Sequence, residues 1–332
     1  MKACVAFAPA PVASSPLRYT DVADPKPLGT NLLIRVRACA VCRTDLHIVE
    51  GELPWRKQPI IPGHQVVGTI EATGNEARRF PIGARVGVAW LHRTCGVCQY
   101  CSRGAENLCE DVDFTGYSVD GGYAEYTVAP ESFVYELPHA IEDLQAAPLL
   151  CAGIIGYRSL RLTGVSNGGR LGIYGFGAAG HVAIQIANYW GMSVYVCTRD
   201  PRHQRLAAEL GAAWVGEAAA RPPVKLDGSI IFAPAGELVP AALRALDKGS
   251  TLVLGGIHMS DIPSLSYDLL YQERVMRSVA NNTRQDGRKF VELAAKIPVR
   301  TSIEVYPLAD ANRALQSLKN DAVRGAAVLA IS

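Results

Sequence analysis

The chain has little excess charge, no long apolar run and no low-complexity segment, and each absence excludes a class of protein. Its 33 basic and 31 acidic residues give a formal net charge of +2, whereas nucleic-acid-binding domains usually carry a clear basic excess. No apolar run approaches the roughly 18 residues that a membrane helix needs. With 49% apolar residues, 31 glycines and 20 prolines, the composition also differs from that of disordered or fibrous chains. We therefore expect a globular protein with no nucleic-acid and no membrane partner.

Nine cysteines are present, and their spacing argues against a disulfide framework. The total is odd, four of the nine are clustered, and a chain of this length can build a core without covalent cross-links. At the N-terminus, Pro9, Pro11 and Pro16 interrupt any apolar helix, so this segment predicts a first β-strand rather than a signal peptide. We therefore predict a cytoplasmic protein whose cysteines are reduced and available as metal ligands.

The length predicts about two domains, at roughly 150 residues for each. Up to about residue 150, alternating or β-branched runs predict short strands. These runs are Leu32–Val36, Val66–Ile70, Ala84–Val88 and Tyr123–Val128. The first part of the chain is therefore predicted to form a β-rich domain.

From about residue 153, short apolar strands alternate with helical patterns. The predicted strands are Leu171–Tyr174, Val194–Cys197, Ser229–Phe232 and Ser250–Leu254, and the predicted helices are His181–Trp190, Arg202–Leu210 and Ala241–Leu246. This alternation predicts an α/β fold with a doubly wound parallel sheet. From about Arg284 the chain returns to mixed helix and strand.

A glycine-rich turn follows the first of these α/β strands. Gly175, Gly177 and Gly180 form a GxGxxG motif that ends a strand and opens a helix, which is the context that a dinucleotide-binding turn requires. The first glycine permits the turn, the second lets the backbone approach a pyrophosphate, and the third lets helix and strand pack closely. The motif predicts a nicotinamide dinucleotide site.

The residues after the next strand bear on the choice between NAD(H) and NADP(H). Asp200 is a candidate for the acid that binds the ribose 2′-hydroxyl of NAD. Alternatively, Thr198 occupies this place and Arg199 and Arg202 form a cationic pair suited to a 2′-phosphate. We favour NADP(H) slightly, because a carboxylate there would repel the phosphate, and NAD(H) remains the alternative.

The clustered cysteines have the spacing of a closed metal site. Cys95, Cys98, Cys101 and Cys109 can close a tetrahedron around Zn²⁺ and leave no position for a substrate. Because the spacing departs from the usual iron–sulfur runs, we predict a structural zinc. Three further potential ligands, Cys42, His64 and Cys151, are dispersed along the chain, and spacing alone leaves their role open.

Several motifs occur in a single order along the chain. They are Cys42-Arg43-Thr44-Asp45-Leu46-His47, Pro62-Gly63-His64, the four-cysteine segment, Gly121-Gly122-Tyr123-Ala124-Glu125-Tyr126, Cys151 and the GxGxxG turn. In this order the chain resembles the zinc-containing medium-chain alcohol dehydrogenases. The resemblance implies a GroES-like catalytic domain over residues 1–152 and 284–332, and a Rossmann dinucleotide-binding domain over residues 153–283.

The resemblance also implies a role for each motif residue. Cys42, His64 and Cys151 would hold a catalytic zinc, the second zinc of the chain. Thr44 would accept the alcohol proton, His47 would be the terminal base of the proton relay, and Asp45 would orient His64. Gly255 would lie along the nicotinamide, and Arg324 would contact a cofactor phosphate.

The implied activity is reversible hydride transfer between a small alcohol or aldehyde and NAD(P)(H). A related activity on a polyol or an aldehyde adduct is the alternative, and so is a catalytically silent zinc- and nucleotide-binding relative. A homodimer or homotetramer is implied as well. One departure from the family is Gln65, where a glutamate is usual, and we expect slower ligand exchange at the metal from it. Trp55, Trp90 and Leu91 are candidates for the substrate-pocket wall or for the core.

Overall fold

The computed structural model describes residues 1–297 and 299–331. Strands dominate the first part of the chain, and strands alternate with helices in the second part. The strands are β1 (Lys2–Ala6), β2 (Leu17–Asp21), β3 (Asn31–Val41), β4 (Val66–Thr73), β5 (Arg85–Val88), β6 (Leu91–Thr94), β7 (Val112–Phe114), β8 (Tyr126–Pro130), β9 (Val134–Glu136), β10 (Arg170–Tyr174), β11 (Ser193–Cys197), β12 (Trp214–Gly216), β13 (Leu226–Ile231), β14 (Leu246–Leu254), β15 (Val275–Ser278), β16 (Ile303–Pro307) and β17 (Ala326–Ala330). The helices are α1 (Arg43–Glu50), α2 (Gln99–Ser102), α3 (Asp143–Ala146), α4 (Ala152–Thr163), α5 (Ala178–Tyr189), α6 (Pro201–Glu209), α7 (Val239–Ala245), α8 (Arg284–Ala294) and α9 (Ala311–Lys319).

These elements form two units. The β-rich unit comprises Met1–Cys151, Thr283–Lys296 and the chain from Arg300 onward. The α/β unit comprises Ala152–Asn282 with Ile297 and Val299. Among the described residues, no helix has the length and apolar character needed to cross a membrane.

The β-rich unit is built on a sheet in the order β16-β17-β3-β4-β5-β9, with β8 also paired to β3. Strand β3 shows why this sheet forms: Leu32, Ile34 and Val36 are buried, while Arg35 and Arg37 between and beyond them are exposed. This period of two places one apolar face on the core. The antiparallel β6–β7 pair sets Thr94 opposite Val112, which brings together the two ends of the four-cysteine segment.

The α/β unit has a six-stranded sheet in the order β12-β11-β10-β13-β14-β15. Every neighbouring pair is parallel. Counted within this unit, the strand order is 3-2-1-4-5-6, that of a Rossmann sheet. The order reverses between β10 and β13, so the glycine-rich turn after β10 lies at the switch point where such sheets bind their ligands. The predicted fold class is confirmed in both units.

Several predicted boundaries were wrong, two of them for identifiable reasons. The run Tyr123–Val128 enters the sheet only at Tyr126, because the Tyr123 N–H instead donates to the carbonyl of Pro62. Helix α5 begins at Ala178 rather than His181, with Gly177 as its N-cap, so the glycine motif itself contains the first helical turn. Strand β15 was not predicted, since most of its residues are exposed and it lacks an apolar run.

Candidate metal and cofactor sites

Three dispersed residues of the β-rich unit converge on one point. Cys42 is the N-cap of α1, His64 precedes β4, and Cys151 follows a 3₁₀ turn at Ala147–Leu150. Their potential ligand atoms all lie within 4.8 Å of one another, and Cys42 Sγ is 3.4 Å from His64 Nε2. Folding therefore assembles a three-donor site that the spacing of these residues could not predict.

Asp45 contacts two of these ligand residues, Cys42 and His64, through its carboxylate oxygens. The Cys42 N–H donates to Asp45 Oδ2 at 2.8 Å, which forms a capping box at the start of α1. The other oxygen, Oδ1, lies 3.0 Å from His64 Nδ1. A carboxylate accepts this bond only if Nδ1 carries the proton, which leaves Nε2 as the nitrogen that can ligate a metal.

The electrostatics of His64 follow from the same contacts. Burial alone lowers the His64 pKa, but the Asp45 carboxylate and the Cys42 sulfur oppose it and raise the pKa to about 10. Both His64 and Asp45 are almost fully buried. Because the pair is shielded from water, the Asp45–His64 contact is stronger than an exposed one would be.

Helix α1 also carries Thr44 and His47, the two other residues implicated by the resemblance. Thr44 lies in the first turn and is buried. His47 Nδ1 contacts Glu52 Oε2, a residue that the sequence did not single out. Since Glu52 can accept only from a protonated Nδ1, it makes Nε2 the basic nitrogen of the neutral His47 ring.

An aromatic cluster lies beside His64. The Trp90 ring meets the His64 ring edge-on, with centroids 5.0 Å apart, and stacks on Phe114 at 4.9 Å and on Tyr117 at 5.6 Å. Phe114 and Tyr117 are only 6.4 Å apart, so they share one face of the indole. Of the three residues considered for the pocket wall, Trp90 therefore adjoins the site, whereas Leu91 is fully buried in the core.

Trp55, the third of these candidates, packs against the core of the β-rich unit. Its Nε1 donates to the Ile48 carbonyl at 2.6 Å. Phe114 and Tyr117 were not singled out from the sequence, because they lie more than 20 residues beyond Trp90 and only the β6–β7 pairing brings them to it.

The four clustered cysteines form a second, separate donor group. The Sγ atoms of Cys95, Cys98, Cys101 and Cys109 lie within 4.8 Å of one another. Cys95 Sγ is 3.9 Å from Cys101 Sγ and 3.6 Å from Cys109 Sγ. Backbone N–H groups of Val97 and Cys98 lower the pKa of Cys95 to about 6, which favours the thiolate that binds metal.

Both groups fit zinc. Sulfurs about 2.3 Å from a tetrahedral zinc lie about 3.8 Å apart, and a sulfur and an imidazole nitrogen about 3.6 Å apart. The sulfur–sulfur distances of 3.6 and 3.9 Å and the sulfur–nitrogen distance of 3.4 Å agree with these values. All nine cysteines are free thiols, and Cys4, Cys39 and Cys197 are buried and belong to neither group.

The glycine-rich turn of the α/β unit has the conformation that a dinucleotide site needs. Gly175 has φ +83°, and a Cβ there would lie 2.7 Å from the Ala233 nitrogen, so only glycine fits. Gly177 caps α5, and Gly180 lies in its first turn against the Gly175 carbonyl. The first N–H groups of α5 therefore remain available to an anion.

The ribose-end residues occupy distinct positions. Thr198 is buried directly after β11, and Arg199 is exposed with no ion-pair partner among the described residues. Asp200 caps α6 and forms an ion pair with Arg202 at 2.6 Å. The Arg202 hydrogen bond holds the pKa of the Asp200 carboxyl well below its usual range. Asp200 and Arg202 thus engage each other, and Arg199 is the cation that remains.

The two last predicted cofactor residues lie in different units. The Gly255 N–H donates to the Ile231 carbonyl at 2.8 Å, just after β14 in the α/β unit. Arg324 precedes β17 in the β-rich unit, and its backbone N–H donates to Glu304 at 2.6 Å. Its side chain is exposed.

Comparison with known proteins supports the fold and identifies the family. A model of the alcohol dehydrogenase GroES-like domain matches residues 29–139, and one of zinc-binding dehydrogenases matches residues 178–296. The probable alcohol dehydrogenase AdhA of Mycobacterium tuberculosis is 49% identical over 97% of this chain and 95% of its own length. An alcohol dehydrogenase of Geobacillus stearothermophilus is 36% identical over 95% of this chain and 96% of its own length.

Solved structures agree. A cinnamyl alcohol dehydrogenase of Sorghum bicolor, 27% identical, superposes with a TM-score of 0.89 over 99% of this chain and 97% of that one. An alcohol dehydrogenase of Aeropyrum pernix, also 27% identical, has a TM-score of 0.88 over 99% of this chain and all of that one. Together with the sequence identities above, these matches show that the chain belongs to the zinc-containing medium-chain alcohol dehydrogenase family.

Proposed function

We propose that the chain oxidises small alcohols and reduces the corresponding aldehydes, with zinc at Cys42, His64 and Cys151 and with NADP(H) as the preferred cofactor. The observation that carries this proposal is the difference between the two donor groups. One offers four sulfurs and the other three donors. Four protein ligands complete a tetrahedron, whereas three leave one position for a substrate.

Thr44 and His47 are proposed to transfer the substrate proton, and Asp45 is proposed to fix the protonation of His64. Zinc, when bound, supplies a Lewis acid that favours loss of the hydroxyl proton. Thr44 accepts this proton at its hydroxyl and passes it towards His47, whose Nε2 is the basic nitrogen because Nδ1 faces Glu52. Asp45 keeps the proton of His64 on Nδ1, so His64 presents Nε2 to the metal throughout.

The second zinc has a structural role in this proposal. It is held by Cys95, Cys98, Cys101 and Cys109, between the two strands of the β6–β7 pair. The short helical turns in this segment bury few apolar side chains. Four metal–thiolate bonds therefore supply the folding free energy that such a segment lacks.

The preference for NADP(H) rests on charge. Thr198 stands where an acid would bind the 2′-hydroxyl of NAD, and Arg199 offers an exposed guanidinium beside it. The carboxylate that follows Arg199 in the chain, that of Asp200, is paired with Arg202. A 2′-phosphate therefore meets net positive charge at this end of the site, and the arginine fork matches its oxygens. Arg324 is proposed to contact another cofactor phosphate.

The aromatic cluster supports an apolar substrate. Phe114 and Tyr117 stack on Trp90, whose ring also meets that of His64. An indole ring beside His64 favours contact with a planar, apolar group. We therefore propose an aryl or similarly apolar alcohol or aldehyde rather than a polyol.

A homodimer is proposed from the free edge of the α/β sheet, and a homotetramer formed from two such dimers is the alternative. Among the described strands, β15 pairs only with β14, and Val275, Tyr267 and Tyr271 near this edge are 48%, 73% and 60% exposed. A two-fold axis would pair two β15 strands in antiparallel fashion and cover these side chains. Light scattering tests this: wild type should be dimeric or larger, and Val275→Lys should shift it towards a monomer. A monomeric wild type contradicts it.

The domain limits and location complete the proposal. We propose residues 1–152 and 284–332 as the catalytic domain and 153–283 as the dinucleotide-binding domain, which the two units support. Nine free thiols, six of them in the two proposed zinc sites, support a reducing, cytoplasmic location.

A rate survey tests the activity. Primary, secondary, aromatic and polyol substrates are compared with NAD⁺ and NADP⁺ side by side. We expect the highest kcat/KM for an aromatic or apolar primary alcohol with NADP⁺. A polyol preference would replace the proposed substrate class, and inactivity with every pair would refute the enzyme itself.

A further inference from the structure

A loop of the β-rich unit, residues 51–59, connects two parts of the proposed active site. It follows α1, which carries His47, and leads to the segment that carries His64. At its start, the N–H groups of Glu52 and Leu53 donate to the His47 carbonyl at 2.9 and 3.3 Å. One end of the loop is therefore fixed at the last residue of the proposed proton relay.

Beyond this start, side chains rather than the backbone hold the loop. No backbone N–H of residues 55–58 donates to another backbone group among the described residues. The Tyr117 hydroxyl instead donates to the Pro54 carbonyl at 2.6 Å. The guanidinium carbon of Arg56 lies 5.5 and 5.8 Å from the ring centroids of Tyr117 and Phe114. The loop's other side-chain bonds go to other parts of the β-rich unit.

The residue that makes this bond has a fixed position of its own. The Tyr117 ring stacks on Trp90 with centroids 5.6 Å apart, and the Trp90 ring meets that of His64 edge-on at 5.0 Å. The preceding residue, Gly116, has φ +72°, and a Cβ there would lie 2.7 Å from the Gly63 nitrogen. The turn that carries Tyr117 therefore packs directly against the backbone that precedes His64.

Tyr117 thus links the 51–59 loop to the ring beside His64. The first half of the loop runs from His47 to the aromatic cluster, so its position determines how much space remains between these two parts of the site. Phenylalanine keeps a ring at this place but has no donor for the Pro54 carbonyl. Loss of the hydroxyl would therefore release the middle of the loop and leave the ring stack in place.

We propose that Tyr117 is a specificity-determining positioning residue: its hydroxyl holds the 51–59 loop at the aromatic cluster, and the loop so held forms part of the wall for an apolar substrate. The proposal rests on the proposed function, since it assumes that an alcohol binds at the three-donor site. A wall that is ordered before binding lowers the ordering cost that a large substrate must meet. Tyr117 therefore acts on the KM of large substrates rather than on kcat.

Native-state proteolysis of the zinc-loaded protein tests the hydroxyl bond without any turnover. Trypsin cleaves after Arg56 and Lys57 in the loop, and cleavage of a folded protein follows the population in which the cleaved segment is open. Tyr117→Phe removes the hydroxyl and keeps the ring. Because one hydrogen bond changes such a population about fivefold, we expect about fivefold faster cleavage at these two sites, mapped by mass spectrometry, and unchanged cleavage elsewhere.

Steady-state kinetics with two alcohols test the effect on substrate choice. Benzyl alcohol presents a ring to the proposed wall, whereas ethanol presents little apolar surface. In Tyr117→Phe, we expect the KM for benzyl alcohol to rise about fivefold at unchanged kcat, and both constants for ethanol to stay unchanged. The ratio of kcat/KM for benzyl alcohol to kcat/KM for ethanol should therefore fall about fivefold.

Tyr306→Phe is the matched control. Tyr306 and Tyr117 are equally buried, each 8% exposed. The Tyr306 hydroxyl also donates a hydrogen bond, to Glu304 at 3.2 Å, in β16 of the same unit. Because this bond does not involve the 51–59 loop, both the loop cleavage and the ratio of kcat/KM values should stay at their wild-type values.

Three results for Tyr117→Phe would overturn the proposal. They are wild-type cleavage of the loop, faster cleavage at all sites together, which would mean general loosening, and faster loop cleavage with an unchanged ratio of kcat/KM values. Failure of the proposed function is distinguishable from each of them. In that case wild type itself would oxidise neither alcohol, before any substitution is made, whereas loop cleavage would still be compared between variant and wild type.

Discussion

Replacement of Asp45 by asparagine probes the three-donor site with almost no change in shape. Asp45 accepts from two buried donors, the Cys42 N–H at 2.8 Å and His64 Nδ1 at 3.0 Å. Asparagine can accept only one of these bonds and presents an NH₂ group to the other donor. Either the Cys42 N–H at the N-cap of α1 loses its partner, or His64 must move its proton to Nε2 and can no longer bind metal through that nitrogen.

The magnitude follows from the burial of Asp45 and His64. An unsatisfied buried donor costs about 1–3 kcal/mol, and each 1.4 kcal/mol is a factor of about ten in affinity. This agrees with the roughly 10–100-fold loss typical of outer-shell substitutions at metal sites. We therefore expect Asp45→Asn to weaken zinc at the three-donor site by about 10–100-fold, measured by competition with a chelator of known affinity.

Asp286→Asn is the matched control for helix capping. Asp286 is also fully buried, in the same unit, and forms the capping box of α8 with Thr283. Both variants should lose unfolding free energy, because both disturb a buried cap. Only Asp45→Asn should release zinc more readily. Equal zinc affinity of Asp45→Asn and wild type would refute the role assigned to Asp45.

Three further predictions concern cofactor choice, ligand exchange and pH. Arg199→Ala should lower kcat/KM for NADP⁺ about tenfold, since a charge-assisted hydrogen bond contributes about 1.5 kcal/mol, and should leave kcat/KM for NAD⁺ unchanged. Thr198→Asp should reverse the cofactor preference. Equal effects on both cofactors would exclude the role assigned to Arg199. Gln65→Glu, at a buried amide whose Nε2 has no partner, should raise turnover and shift its pH profile, and no change in either would disprove the idea. Asp200→Asn keeps the cap of α6 but loses the ion pair with Arg202, so it should lower the free energy of unfolding by about 0.5 kcal/mol at pH 7. Because the Asp200 pKa is depressed, the difference in unfolding free energy between wild type and this variant, measured by urea titration, should decrease as the pH falls below the unfolded-state pKa of about 3.9. A difference that stays constant down to pH 2 would contradict this prediction.

Local patterns predicted much of the fold. The alternation in β3 and the strand–turn–helix context of Gly175–Gly180 each reflect a period or a turn that neighbouring residues determine. The four-cysteine group was predictable for the same reason, because its members lie within 15 residues and short loops limit their separation.

The three-donor site could not be predicted in this way. Cys42 and Cys151 are more than 100 residues apart, and they meet only because β3 and the turn before α4 end at the same point. Family resemblance named these residues and Asp45, but not the other residues around them. The Glu52 contact with His47 and the Tyr123 ring against Gly63 depend on tertiary packing, and neither leaves a periodic signal in the sequence.

Zinc content tests the central claim most directly. We predict two zinc ions per chain in the wild-type protein and alcohol oxidation that depends on both the metal and NADP⁺. Cys151→Ser should retain one zinc and lose activity, whereas Cys4→Ala, at a buried thiol outside both groups, should retain two zinc ions and activity. A wild-type protein with one zinc, or full activity in Cys151→Ser, would contradict the account.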